Sequence, residues 1–186
     1  MLILASQSPR RRELLKKLIT EYKIIVPNVD EKAIEGIVSA SNLAVEESKL
    51  KAYAIHSKYP EDEVIACDTI VVLGEKVLGK PIDEDDAFRM LKEESGRKQV
   101  VISGYTYIGK GVEVNRSVVT DVYFNELSDE EIWDYIKKYQ PLDKAGAYGI
   151  QDEAGLIKSI VGSYDNVMGF PTEDIKIHVF NRYYQK

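Results

Sequence analysis

The sequence predicts an α/β or mixed α+β fold, and three observations carry that reading. Glu63–Leu73 (EVIACDTIVVL) is a near-continuous β-branched run, as a strand covered on both faces requires. Two alternating segments, Lys98–Ile108 and Glu113–Phe124, follow it and are joined by Gly109-Lys110-Gly111. Capped helical segments stand between and around these strands, so the two kinds of element interleave along the chain.

Taken in order, Leu2–Ser6 is a short apolar run that fits a buried strand. Ser8 then stands as a helix N-cap with Pro9 at the first helical position, ahead of the apolar stripe Leu14, Leu15, Leu18. Tyr22–Val26 reads as a second strand. Asn42–His56 carries Leu43, Val45, Leu50, Ala52 and Ile55 in loose helical spacing. After the Glu63–Leu73 strand, Gly74–Lys76 should turn the chain back into Val77 and Leu78. Asp83–Glu94 is a helix with acids at Asp83, Glu84, Asp85 and Asp86, where the macrodipole favours them, and Gly96 follows as a C-cap. Ser128 with Glu131 three residues on is a capping-box pattern ahead of Ile132, Trp133, Tyr135 and Ile136. Leu156–Ile160 reads as a late strand and Pro171–Tyr184 as a terminal helix. At 186 residues, with no internal repeat or low-complexity linker, a single domain over 1–186 is expected.

Composition narrows the function classes. With 44% hydrophobic and 30% charged residues the chain can bury a core. A net charge of −6 argues against wholesale binding to nucleic acid, so any phosphate site must be a local basic pocket. The single cysteine, Cys67, excludes an internal disulfide and a cysteine-rich zinc site. The two histidines, His56 and His178, are far apart in sequence and suit neither a histidine metal site nor a Ser/His/Asp triad. The N-terminus runs from a few apolar residues into a basic run, the wrong order for a secretory signal, and no apolar run is long enough to span a bilayer. A soluble, cytoplasmic protein with no membrane partner is expected.

Four segments carry chemistry. In Ser8-Pro9-Arg10-Arg11-Arg12, three arginines occupy a first helical turn, where each charge typically costs about 0.3–1 kcal/mol. That is either an anion site or a solvated basic patch. Asp68 lies inside a run otherwise suited to a buried strand, and an ionised carboxylate there needs a cation, a metal or a donor. It reads as an active-site group or as an acid ending a strand; Glu31 is its candidate partner on a divalent cation, or a solvated loop acid. Gly74-x4-Gly79-Lys80-Pro81 nearly spells a P-loop, but Pro81 stands where Ser or Thr would hold magnesium. What survives is Lys80 as a phosphate ligand. In Pro141–Gln151, the small residues Ala145, Gly146, Ala147 and Gly149 permit close backbone approach to a ligand, and Gln151 offers an amide for a base edge. A tight structural loop would share that composition.

In this order the segments resemble the Maf family of nucleoside triphosphate pyrophosphatases: Leu4-Ala5-Ser6-Gln7-Ser8-Pro9-Arg10-Arg11, Cys67-Asp68-Thr69, Gly79-Lys80-Pro81, Glu94-Ser95-Gly96 and Asp143–Gln151. The last run is similar to the branch acting on dTTP and UTP. The resemblance implies an α/β fold with a central mixed, strongly bent sheet flanked by helices, and two lobes with the site in the cleft between them. It implies that Asp68 is the general base, that Arg10, Thr69 and Gln151 set specificity, and that Ser8, Arg11, Lys49 and Lys80 face phosphate, with Glu31 a second acid. Lys51 lies two residues from Lys49. Cys67 departs from a common Ala, and Asp152 from a usual Gly after Gln151, which bears on base preference.

The implied reaction is hydrolysis of dTTP, UTP or modified pyrimidine triphosphates to monophosphate and pyrophosphate, with Mg2+ or Mn2+ on Glu31 and Asp68. Asp68 would activate a water for in-line attack on the α-phosphorus. A homodimer is common in the family. The rival readings are a non-catalytic nucleotide-binding regulator of cell division and septum formation, a nucleic-acid binder, and a purine-directed hydrolase.

Overall fold

The computed structural model describes residues 1–36 and 38–184. Its strands are β1 (Leu2–Leu4), β2 (Lys23–Ile24), β3 (Glu63–Leu73), β4 (Lys76–Leu78), β5 (Lys98–Gly109), β6 (Val112–Phe124) and β7 (Ile157–Val161). Its α-helices are α1 (Pro9–Leu15), α2 (Ala40–His56), α3 (Glu84–Glu94), α4 (Asp129–Tyr139), α5 (Tyr164–Met168) and α6 (Thr172–Ile175). The strands form one mixed sheet in the order β2-β1-β3-β5-β6-β7, with β4 on β3. β1 runs parallel to β2 and β3, whereas β3–β4 and β6–β7 are antiparallel.

The chain divides into two compact units. The first comprises residues 1–69, 102–118 and the chain from 165 onward; the second comprises residues 70–101 and 119–164. In the first unit the sheet is covered on both faces, which is why β3 reads as a continuous apolar run. Leu2 and Leu4 of β1 with Ile65 and Cys67 of β3 pack with Leu14, Leu15, Phe170 and Ile175. The alternate residues Ile3, Ala5, Val64 and Ala66 pack with Ala52 and Ile55 of α2. α2 approaches β5 closely: a Cβ on Gly104 would lie 2.2 Å from the backbone nitrogen of Val45, so only glycine fits there.

The second unit is built around α3 and α4, whose Phe88 and Trp133 rings stack at 4.6 Å. Asp83 caps α3, accepting from the Asp86 amide at 2.8 Å. The Ser128–Glu131 capping box of α4 is formed in both directions. Val72 pairs with Val77 in the β3–β4 hairpin, as a return strand at 77–78 requires.

Several elements differ from the sequence reading. β2 keeps only Lys23–Ile24 of the expected Tyr22–Val26, and α2 begins at Ala40. The expected terminal helix is α6 followed by a π-helical turn over Lys176–Phe180. The short α5 and the 3-10 turns at Glu31–Ile34, Pro141–Asp143 and Ala145–Ala147 carry too few residues to show a period.

Candidate active site

Alternation along β3 sends consecutive residues to opposite faces of the sheet, and that places two polar groups back to back. Asp68 continues the face that packs on α2. Thr69 continues the face that packs beside α1.

On the α2 face, Asp68 is 8% exposed and its Oδ1 accepts from Lys51 Nζ at 2.6 Å. Lys51 Nζ also lies 2.8 Å from Oε1 of Glu31, the first residue of the 3-10 turn capped by Asp30. Glu47, one turn before Lys51 on α2, brings a third carboxyl group to Asp68. Ligand oxygens of Glu31, Glu47 and Asp68 lie within 4.8 Å of one another. Burial, a hydrogen bond to Asp68 and the Asp68 charge push the Glu47 carboxyl up to about 9, so it holds its proton near neutrality. Burial alone would raise Asp68. The hydrogen bond from Glu47 and the charges of Lys51 and Arg11 outweigh it and hold Asp68 below the usual carboxylate value. Burial pulls Lys51 down, but the Asp68 charge prevails and raises it. The result is one anionic, one neutral and one cationic group in contact: an ionised carboxylate in a dry setting, with hard oxygen donors of the kind magnesium and manganese take.

On the other face, Arg11 Nη2 donates to Thr69 Oγ1 at 3.2 Å and Arg11 Nε donates to the Gly169 carbonyl at 2.8 Å. Thr69 Oγ1 lies 2.8 Å from Ser103 Oγ of β5, and Ser103 donates to the Asn166 carbonyl at 3.2 Å.

Of the residues expected from sequence, the structure brings Glu31 and Asp68 together, and Arg11 and Thr69 together. Ser8 is engaged as the cap of α1, its Oγ accepting from the Arg11 amide at 3.4 Å. Arg10 is half-buried in the same turn. Lys49 points elsewhere, pairing with Glu46 at 3.3 Å on the outer side of α2. Lys51 holds the position beside Asp68, and Glu47 and Ser103 complete contacts the sequence reading did not include. The signal for the first two was present. The buried positions of α2 are Leu43, Ala44, Glu47, Ser48, Lys51, Ala52 and Ile55, a strict helical stripe that contains Glu47 and Lys51 and skips Lys49.

Lys80 and Gln151 belong to the second unit. Lys80 is exposed just after β4, and the neighbouring Gly79 carbonyl accepts from the Gly146 amide at 3.1 Å, tying that turn to the 146–151 loop. The strain in this loop sits at Ala147, whose φ of 60° makes it the kind of non-glycine outlier that clusters at functional sites, while Gly146 takes its φ of 72° freely. Gln151 is half-buried. Asp152 is engaged within the unit, its Oδ2 accepting from the Tyr135 hydroxyl at 2.6 Å while the same hydroxyl accepts from the Gly149 amide at 2.9 Å. The carboxylate that departs from the usual glycine therefore braces the loop through Tyr135. Among the described residues no helix is long and apolar enough to cross a membrane.

A family model described as Maf-like protein matches residues 1–179. The dTTP/UTP pyrophosphatase of Thermococcus gammatolerans is 48% identical over 176 residues, covering 94% of this chain and 93% of its own. That of Thermococcus kodakarensis is 46% identical over 177 residues, covering 94% and 93%. That of Clostridium beijerinckii is 44% identical over 178 residues, covering 94% and 95%.

Proposed function

The chain belongs to the Maf family, and on that premise we propose that it hydrolyses nucleoside triphosphates, dTTP and UTP foremost, to the monophosphate and pyrophosphate. The observation that carries the chemistry is Asp68: a buried carboxylate kept ionised by Lys51 at 2.6 Å and by the neutral Glu47 beside it.

Asp68 accepts a proton from a water as that water's oxygen bonds to the α-phosphorus. The bond from the α-phosphorus to the bridging oxygen breaks, and pyrophosphate leaves with the electron pair. Lys51 keeps Asp68 deprotonated and oriented, and in the metal-free cluster a protonated Glu47 avoids three adjacent negative charges. Arg11, whose charge also reaches Asp68, offsets charge on the triphosphate. Lys80 serves phosphate, and Gln151 serves the base. The role given to Lys49 by resemblance passes to Lys51, because the Lys49 ammonium is directed to Glu46.

Glu31, Glu47 and Asp68 would hold a divalent cation, magnesium or manganese, once Glu47 gives up its proton. When bound, the ion supplies charge neutralisation at the phosphate oxygens. A cytoplasmic homodimer that binds neither nucleic acid nor membrane completes the reading.

The test is to incubate the purified protein with common and modified nucleoside triphosphates plus magnesium or manganese and resolve the products. Equal monophosphate and pyrophosphate from dTTP and UTP, abolished by a chelator and restored by the metal, is the expected result. Release of orthophosphate would mean that a different bond is cut. Absence of turnover with every nucleotide and both metals would leave a binding-only regulator.

A further inference from the structure

The carbonyl of Gly169 is the anchor of the Arg11 side chain. It accepts from Arg11 Nε at 2.8 Å, while Nη2, on the same edge of the guanidinium, donates to Thr69 Oγ1 at 3.2 Å. Two contacts along one edge of a planar fork set its orientation and leave the other end of the group to meet an anion. The Cys67 thiol lies 3.3 Å from the same carbonyl, so both of its lone pairs are engaged. Gly169 is held in its turn. Its amide donates to the Asp165 and Asn166 carbonyls at 3.2 and 3.0 Å, and the Phe170 amide donates to the Asp165 carbonyl at 3.0 Å. The buried Asp165 carboxylate accepts from Lys17 Nζ at 2.9 and 3.0 Å and from Thr172 Oγ1. Lys17 follows α1 and Thr172 opens α6, so Asp165 ties the turn that carries Gly169 to the helix that carries Arg11, all within the first unit. Gly169 has a φ of 114°, yet a Cβ there would meet nothing closer than Thr69 Oγ1 at 3.6 Å and Arg11 Nε at 3.8 Å. Backbone conformation, and not space, demands the glycine.

From this we infer that Gly169, braced by Asp165, is a positioning residue: its carbonyl presents the Arg11 guanidinium to the triphosphate already oriented. The inference rests on the pyrophosphatase reading above, in which Arg11 offsets phosphate charge. A free arginine loses rotamer freedom when it grips an anion, whereas one held in advance has little left to lose. Charge stabilisation is also strongest where the donors need no reorganisation during the reaction. A side chain at position 169 would drive the backbone away from φ 114° and turn the carbonyl, and Arg11 would lose its Nε partner. Lysine at position 11 would keep the charge but has no planar edge for the carbonyl to orient. Gly169 and Asp165 therefore act through Arg11 and touch no substrate themselves.

The experiment measures kcat and KM for UTP with magnesium in wild type, Gly169→Ala, Lys17→Met and Arg11→Lys, and in Arg11→Lys combined with each of the other two. Every variant is checked by thermal melting. Gly169→Ala should lower kcat/KM about tenfold, within the range that coupled residues in contact show. Lys17→Met removes one grip on Asp165 from an exposed position and should lower kcat/KM about threefold. In the Arg11→Lys background either substitution should cost less than about twofold, because the group they orient is gone. A turn that is merely loosened would act whatever stands at position 11, so only action through Arg11 makes the losses vanish. Lys17→Met decides the matter if Gly169→Ala does not fold. Equal losses in the two backgrounds, or near-wild-type kcat/KM in Arg11→Lys, overturn the inference while the pyrophosphatase reading stands. If wild type turns over no triphosphate, that reading falls and this inference with it.

Discussion

The ammonium of Lys51 lies 2.6 Å from Oδ1 of Asp68, and both groups are withdrawn from water, their side chains only 10% and 12% exposed. A buried ion pair of this kind is costly to break from one side, because the survivor is left charged and unpartnered. Lys51→Met is therefore expected to lower unfolding stability by about 3–5 kcal/mol and to suppress turnover. Lys49→Met removes only a partly exposed pair with Glu46 and is expected to change stability by less than about 1 kcal/mol. Chemical denaturation of the two variants side by side checks the assignment, and equal effects would return Lys49 to the site.

Asp68→Asn keeps the shape of the side chain, and Lys51 keeps Glu31 at 2.8 Å. The variant should still unfold cooperatively but lose about 10²–10⁴ in kcat, the range a positioned general base contributes. Near-wild-type kcat on UTP would remove Asp68 from that role.

Glu47 sets a pH dependence of stability. Its carboxyl moves from an ordinary value of 4.5 to about 9 on folding, so the unfolded chain releases this proton first. Its contribution is full below about 4.5 and is lost as pH rises toward 9. Glu47→Gln, the isostere of the protonated acid, should flatten the decline in urea midpoint across that window. Asp68, held low in the fold, contributes the opposite slope, confined to pH below its ordinary value of 3.8. An unchanged profile in Glu47→Gln would show that Glu47 ionises without cost.

Glu94 is fully buried at the end of α3, and neither carboxyl oxygen has a hydrogen-bond partner among the described residues. Its Oε1 would lie 2.7 Å from a Cβ on Gly146, so the carboxyl group fills the space that the glycine leaves. Burial, then the charge of Glu93, raises it well above the carboxylate range. Its cost to the fold is therefore smallest below about 4.5 and grows as pH rises above that value. Glu94→Leu should therefore raise stability at pH 7 by about 1–3 kcal/mol, the usual cost of an unsatisfied buried polar group. The gain should grow toward alkaline pH in differential scanning calorimetry. A lower melting temperature would mean that Glu94 has a partner in solution.

Much of this was legible in order along the chain. The caps at Ser8 and Ser128, the acidic start of α3, the β3 run and the β3–β4 hairpin follow from neighbours a few residues apart, and local rules reach that far. Asp68 stood out as a charge in an apolar strand for the same reason. The 3-10 turns and the π-helical turn after α6 left no period to read.

The sequence by itself determined the class of fold, the buried carboxylate Asp68 and the family. These rest on composition, periodicity and ordered motifs. Only the tertiary structure decided which lysine answers Asp68, that Glu47 joins it as a neutral acid, and that Ser103 lies in hydrogen-bond contact with the Thr69 hydroxyl. Each of those turns on which face of α2 meets β3, and on which strand lies beside β3 in the sheet. Side chains 17, 21 and 34 residues from Asp68 and Thr69 are brought into contact by the packing of a helix on a sheet and by strand order. No local propensity encodes that distance; burial of the shared apolar faces does.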